Sequence, residues 1–156
     1  MERDLIQVTP APLDVNEAVD YVADASAGGI STFIGTTRDT FQGKKVLHLE
    51  YEAYIPMANK EVKAICTAIR QQWPSVVGIA MLHRLGVVPV KEASVIIAIS
   101  SPHRRESLEA VAYAIDTLKA RVPIWKIEKY EGDDRVWKEN AEWRTMVPLD
   151  VPQGNV

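Results

Sequence analysis

A single cysteine, Cys66, in 156 residues excludes an internal disulfide and any cysteine-rich metal centre. Cys66 lies among Val62, Ile65 and Ile69 at helical spacing, so it reads as a small core hydrophobe rather than a reactive thiol. No apolar run reaches the roughly 18 residues that a membrane-spanning helix needs. Positive charge is not in excess either: a net charge of -3 and a pI near 5.6 argue against a general binder of nucleic acid or membrane surfaces. Neither Gly-x-Gly-x-x-Gly nor Gly-x-x-x-x-Gly-Lys-Ser/Thr occurs, which removes the ordinary dinucleotide and nucleoside-triphosphate signatures. No serine has a His/Asp setting. His48 and His83 stand in strand-like segments without metal-ligand spacing and read as structural or exposed, so no cofactor or metal is called for.

What is present is one domain's worth of apolar residues, 47% of the chain, in a mixed order of strands and helices. Strands are expected near Ile6 to Val8, Ile30 to Ile34, Val46 to Tyr54, Val76 to Leu85, Ala93 to Ser100 and Ile124 to Tyr130, with Arg135 to Trp137 as a short return strand. Val95-Ile96-Ile97-Ala98-Ile99 is apolar enough to be buried on both faces. Helices are expected over Val15 to Ala25, from Pro56 to Trp73, and from Pro102 to Val122, the last with Leu108, Val111, Ala112, Ile115 and Leu118 as its apolar stripe. In the strand Val46 to Tyr54, Leu47, Leu49 and Tyr51 should share a face, and Thr36 to Lys44 and Gly86 to Lys91 read as loops. Without strict alternation, internal repeat or linker, the pattern predicts a single α+β domain over 1–145 and a loose tail over 146–156. Met1-Glu2-Arg3-Asp4 leads into no signal-like apolar stretch, so a soluble cytoplasmic protein is expected.

Three clusters could carry chemistry. In Ser101-Pro102-His103-Arg104-Arg105-Glu106, serine suits an N-cap and proline the first helical position, but cations follow where the helix dipole disfavours them. That is either an anion site of backbone N–H groups, guanidinium and imidazole, or a solvated start whose arginines pair with Glu106 or Glu109. At the other end, Lys119 is either a surface lysine or one of two amines, with Lys126, that the break at Pro123 turns toward one pocket. A lysine here crowded by Lys126, Arg121 or another cation would have its pKa lowered, making a neutral, nucleophilic amine more available near pH 7. Gly35-Thr36-Thr37-Arg38-Asp39 leaves a strand and is either an ordinary turn or a set of oxyanion donors. His103 and Lys119, 16 residues apart on one helix, have backbones about 24 Å apart. If both serve one ligand, the simplest arrangement is a two-fold dimer with His103 and Arg104 from one subunit and Lys119 and Lys126 from the other.

Taken together, Gly35-Thr36-Thr37-Arg38, Leu49-Glu50-Tyr51-Glu52-Ala53-Tyr54, His83-Arg84-Leu85-Gly86, Ser101-Pro102-His103-Arg104 and Leu118-Lys119 through Pro123-Ile124-Trp125-Lys126 resemble the large, catalytic subunit of molybdopterin synthase, over roughly residues 5 to 143. The resemblance implies an α/β hammerhead-like fold with a mixed or antiparallel sheet and flanking helices. It implies a sulfurtransferase that converts cyclic pyranopterin monophosphate to molybdopterin, with sulfur from the C-terminal thiocarboxylate of a small ubiquitin-like subunit. It also implies a dimer of large subunits with a small subunit at each end.

Carried over by position, Thr36, Thr37 and Arg38 would line the substrate pocket and His103 with Arg104 would reach it from the neighbouring subunit. Lys119 would be the principal catalytic residue, with Lys126, Ile127 and Glu128 completing the pocket. A further basic residue of the C-terminal stretch has three contenders, Arg135, Lys138 and Arg144. Two other functions could use the same cations: a phosphate-ligand or coenzyme A acyltransferase, and a non-catalytic adaptor for a ubiquitin-like protein.

Overall fold

A computed structural model describes residues 3–132 and 146–148. The order of elements is β1 (Arg3–Thr9), α1 (Val15–Val22), β2 (Gly29–Thr36), β3 (Thr40–Phe41), β4 (Lys44–Ala53), α2 (Ile55–Gln72), β5 (Gly78–Arg84), β6 (Gly86–Pro89), β7 (Ala93–Ser101), α3 (Arg104–Arg121), β8 (Ile124–Tyr130) and β9 (Met146–Pro148). This is the α+β arrangement expected. The expected strand over 135–137 and the contenders Arg135, Lys138 and Arg144 lie outside the described residues. Met146–Pro148, assigned to the tail by sequence, pairs as an antiparallel strand on Trp125–Ile127.

One sheet has the strand order β1-β5-β7-β2, parallel only at β1–β5. Its centre is the apolar run of β7. Alternation sends Val95, Ile97 and Ile99 into the larger core beneath α2 and α3, and Ile96 and Ala98 into a smaller one beneath α1. Burial on both faces is what a continuous apolar run requires. The second sheet runs β3-β4-β8-β9, with β6 on β4. Tyr51, Val88 and Ile124 from this sheet enter the larger core, which joins the two sheets. Among the described residues no helix is long and apolar enough to cross a membrane.

Several local expectations change. A register shift between Val46 and His48 in the β4–β8 ladder turns Val46 inward and leaves Leu47 40% exposed, so Leu47 does not share a face with Leu49 and Tyr51. Two segments read as loops contain strands: β3 hairpins onto β4, and β6 pairs with His48–Tyr51. Helix α1 ends at Val22, short of Ala25.

Helix α3 starts at Arg104, with His103 rather than Ser101 in the cap position. Ser101 stays in β7, yet its hydroxyl accepts the Ser107 N–H at 3.0 Å and donates to the His103 carbonyl at 2.5 Å, so it ties down the first turn from outside. The buried face of α3 is Ser107, Ala110, Val111, Ala114 and Leu118, and Leu108 is exposed. Small residues win because the helix start lies close against β2. A Cβ on Gly28 would stand 2.4 Å from the Pro102 carbonyl oxygen, and buried Ser107 shares a 2.7 Å hydrogen bond with Ser31.

A second anchor holds β1 to α2. Asp4, with a side chain only 5% exposed, accepts from Arg70 at 2.7 Å and from Lys63 at 2.5 Å. Arg70 also donates to the carbonyls of Arg3, Val76 and Val77. A buried carboxylate with this many donors fixes where α2 crosses the sheet.

Candidate active site

A cavity of about 600 Å³ opens where the two sheets meet the end of α3. Such a volume suits a small-molecule ligand. Thr36 and Arg38 reach it from the end of β2, Thr40 and Phe41 from β3, and Val46, Leu49 and Tyr51 from β4. The first sheet adds Phe33, His83, Ser94 and Val95; α3 adds Ile115, Leu118 and Lys119; β8 adds Lys126 and Glu128. Strand alternation explains the last pair: Lys126 and Glu128 share the cavity face of β8, while Ile127 between them is buried and absent from the lining.

The charges are coupled. Lys126 Nζ lies 3.3 Å from Glu128 Oε1, and the other oxygen of Glu128 accepts the Tyr130 hydroxyl. Burial pushes the Lys126 ammonium below the ordinary lysine range; Glu128 opposes that shift, and Lys119 and Arg38 add to it. The lysine whose proton affinity falls is Lys126, and desolvation rather than crowding by cations is the first cause. Arg38 also stands 6.0 Å over the Phe41 ring, which fixes the guanidinium at the cavity edge.

One chain therefore gathers Thr36, Arg38, Lys119, Lys126 and Glu128. Thr37 is not in this lining: its side chain is buried and donates to the Val88 carbonyl at 3.3 Å, and its backbone bonds to the turn after β6. His103 and Arg104 are at the far end of α3, in an open depression with Arg105, Leu108 and Glu109. Their separation from Lys119 by the length of the helix is the distance that called for a second subunit.

Sequence reasoning missed His83 and Tyr51. His83 is buried and touches Tyr51 edge-on, with ring centroids 4.9 Å apart. A polar ring following the apolar run Ile79 to Leu82 within β5 was the available signal. Burial raises the Tyr51 phenol above its ordinary value; a hydrogen bond with Ser94 opposes the shift and Glu128 adds to it. Among the described residues there is no group of three or more His, Cys, Asp or Glu side chains that could hold a metal ion.

A one-domain α+β chain whose cleft collects two lysines, an arginine and a carboxylate beside apolar side chains has the charge an anion-binding enzyme needs. The family model described as MoaE protein matches residues 8–121. The chain is 61% identical over 140 residues to a molybdopterin synthase catalytic subunit of Taeniopygia guttata, covering 90% of each. It is 36% identical to a crystal structure of molybdopterin synthase from Staphylococcus aureus, with a TM-score of 0.78 over 81% of this chain and 91% of that one. A protein–protein complex of subunit 1 and 2 of molybdopterin-converting factor from Helicobacter pylori, 20% identical over 81% of this chain and 85% of that one, shares the fold with a TM-score of 0.68. The chain belongs to the MoaE family, the catalytic subunits of molybdopterin synthase, which act in molybdenum cofactor biosynthesis.

Proposed function

We propose that this chain transfers sulfur from the C-terminal thiocarboxylate of a small ubiquitin-like subunit to cyclic pyranopterin monophosphate, building the dithiolene of molybdopterin. The observation that carries the reading is the convergence of Arg38, Lys119 and Lys126 on one cavity. Both reactants are anionic, one at a phosphate and one at a thiocarboxylate, and both need cations in a partly dry site. Each thiocarboxylate carries one sulfur and a dithiolene holds two, so two donors are consumed per product. Lys119 stands in the last turn of α3, where an incoming protein tail could meet it, and is the principal catalytic candidate. Lys126, with its lowered affinity for a proton, shares the cavity and is the second.

The active unit is a two-fold dimer of this chain with a small subunit at each end. His103 and Arg104 of one copy complete the cavity of the other, which supplies Thr36, Arg38, Lys119, Lys126 and Glu128. Thr37 and Ile127 support this pocket from behind, through the β6 turn and the core. The reaction belongs in the cytoplasm.

Mixing the purified chain with the thiocarboxylated partner and the pterin precursor, and assaying dithiolene product, tests the reading. Lys119→Ala should abolish product while the fold and partner binding persist; near-normal turnover would refute the assignment. An adaptor would tolerate loss of Lys119, and an acyltransferase would turn over without a protein sulfur donor.

A further inference from the structure

The cations and the carboxylate of the cavity come from the segment after β2, the last turn of α3 and β8, but much of the remaining wall is uncharged. On that wall the imidazole of His83 has a defined protonation. Its Nδ1 is 2.8 Å from the Arg84 carbonyl oxygen, and a carbonyl only accepts, so Nδ1 carries the hydrogen. Burial holds the ring's pKa down to about 4, so the imidazole is neutral at pH 7 and Nε2 keeps a lone pair. The edge-on contact with Tyr51, at an interplanar angle of 74°, fixes the plane in which that lone pair points. Among the described residues the His83 ring has no hydrogen bond besides the one to Arg84. A ring used only for packing would not need a nitrogen at a cavity wall, where a lone pair left without a donor is costly.

We propose that Nε2 of His83 accepts a hydrogen bond from a ring or amino N–H of the ligand's heterocycle, which makes His83 the residue that reads the uncharged end of the ligand. The cations grip the anionic end, and a phosphate alone satisfies them. An acceptor with no proton of its own instead selects for a donor on the ring. A site built around such a bond rejects analogues lacking the donor far more strongly than an apolar pocket could. This inference rests on the pterin reading of the cavity and adds which atom recognises the ring.

The test uses the intact chain with ¹⁵N-labelled histidine, titrated with the pterin precursor and separately with inorganic phosphate. The unprotonated Nε2 resonance of His83 should move on addition of the precursor and stay in place with phosphate, while Nδ1 remains protonated throughout. In turnover, His83→Phe should raise KM for the precursor by about tenfold with kcat little changed. His83→Gln, whose amide can both donate to Arg84 and accept from the ligand, should recover KM to within about threefold of the parent. Precursor that binds with the Nε2 resonance unmoved, or a folded His83→Phe chain with unchanged KM, overturns the inference and leaves the sulfurtransferase reading standing. If His83→Phe does not fold, the resonance of the parent chain decides by itself. If the precursor does not bind at all, the pterin reading falls and takes the inference with it.

Discussion

Lys126 and Glu128 face the same cavity from alternate positions of β8, 3.3 Å apart, and the carboxylate is shared with the Tyr130 hydroxyl. The proton on Lys126 is thus set by one neighbour that favours it and by burial, Lys119 and Arg38, which disfavour it. Glu128→Gln removes the favourable charge and should lower the Lys126 pKa further. Lys119→Ala removes a repulsive one and should raise it. NMR titration of the Lys126 side chain reads both, and a shift of either in the opposite direction contradicts this account of the cavity.

The far-end position of His103 and Arg104 makes subunit complementation decisive. Lys119→Ala and the double variant His103→Ala/Arg104→Ala should each be inactive alone. Mixed and allowed to exchange, half of the dimers are hybrids with one of two sites intact, so roughly a quarter of the parent activity should return. Absence of recovery in hybrids confirmed by mass spectrometry would confine each site to a single chain.

His83 should leave a signature in stability. Its folded pKa of about 4 lies below the ordinary 6.5, so between these values the unfolded chain binds a proton that the folded chain refuses. The stabilisation is complete above pH 6.5 and is lost as pH falls toward 4, amounting to about 3 kcal/mol at most. Urea unfolding of the parent across this range should show a steeper loss with acid than His83→Gln. Equal slopes would mean that the ring is not held neutral.

Cys66 is fully buried, and burial pushes its thiol up to about 12, so the thiolate that reacts with disulfide reagents is scarce in the folded chain. Labelling by a chromogenic disulfide should occur only at the rate of unfolding. Cys66→Ala should keep full turnover at a stability cost of about 1 kcal/mol. Rapid labelling of the native protein, or loss of turnover in a folded Cys66→Ala chain, would give the thiol a part in the chemistry.

Legibility in the sequence followed the range of the interactions. The β7 run, the first turn of α2 around Pro56 and its stop before Pro74 depend on local preference, and they were readable. The face of α3 was misread because Leu108 outranks Ser107 in hydrophobicity, and only the distant Ser31, together with the close approach at Gly28, makes a buried serine the better fit. The irregularity at Leu47 likewise depends on the partner strand β8. In the site, lysines and an arginine stood out as charge, and helix length showed that the two ends of α3 must stand apart. Phe33, Tyr51 and His83 look like ordinary strand residues until β2, β4 and β5 meet.

The pairing of the first sheet also sets a timetable for a chain made from its N-terminus. Arg3 of β1 pairs with Gly78, and Gly29 of β2 with Ser101, so both strands emerge long before their mates. At a translation speed of about 5–20 residues per second, they wait roughly 4 to 15 seconds. During that interval Ile30, Phe33 and Ile34 form a bare hydrophobic segment at the ribosome exit, a natural docking point for a nascent-chain chaperone and a place where crowded synthesis would favour clumping.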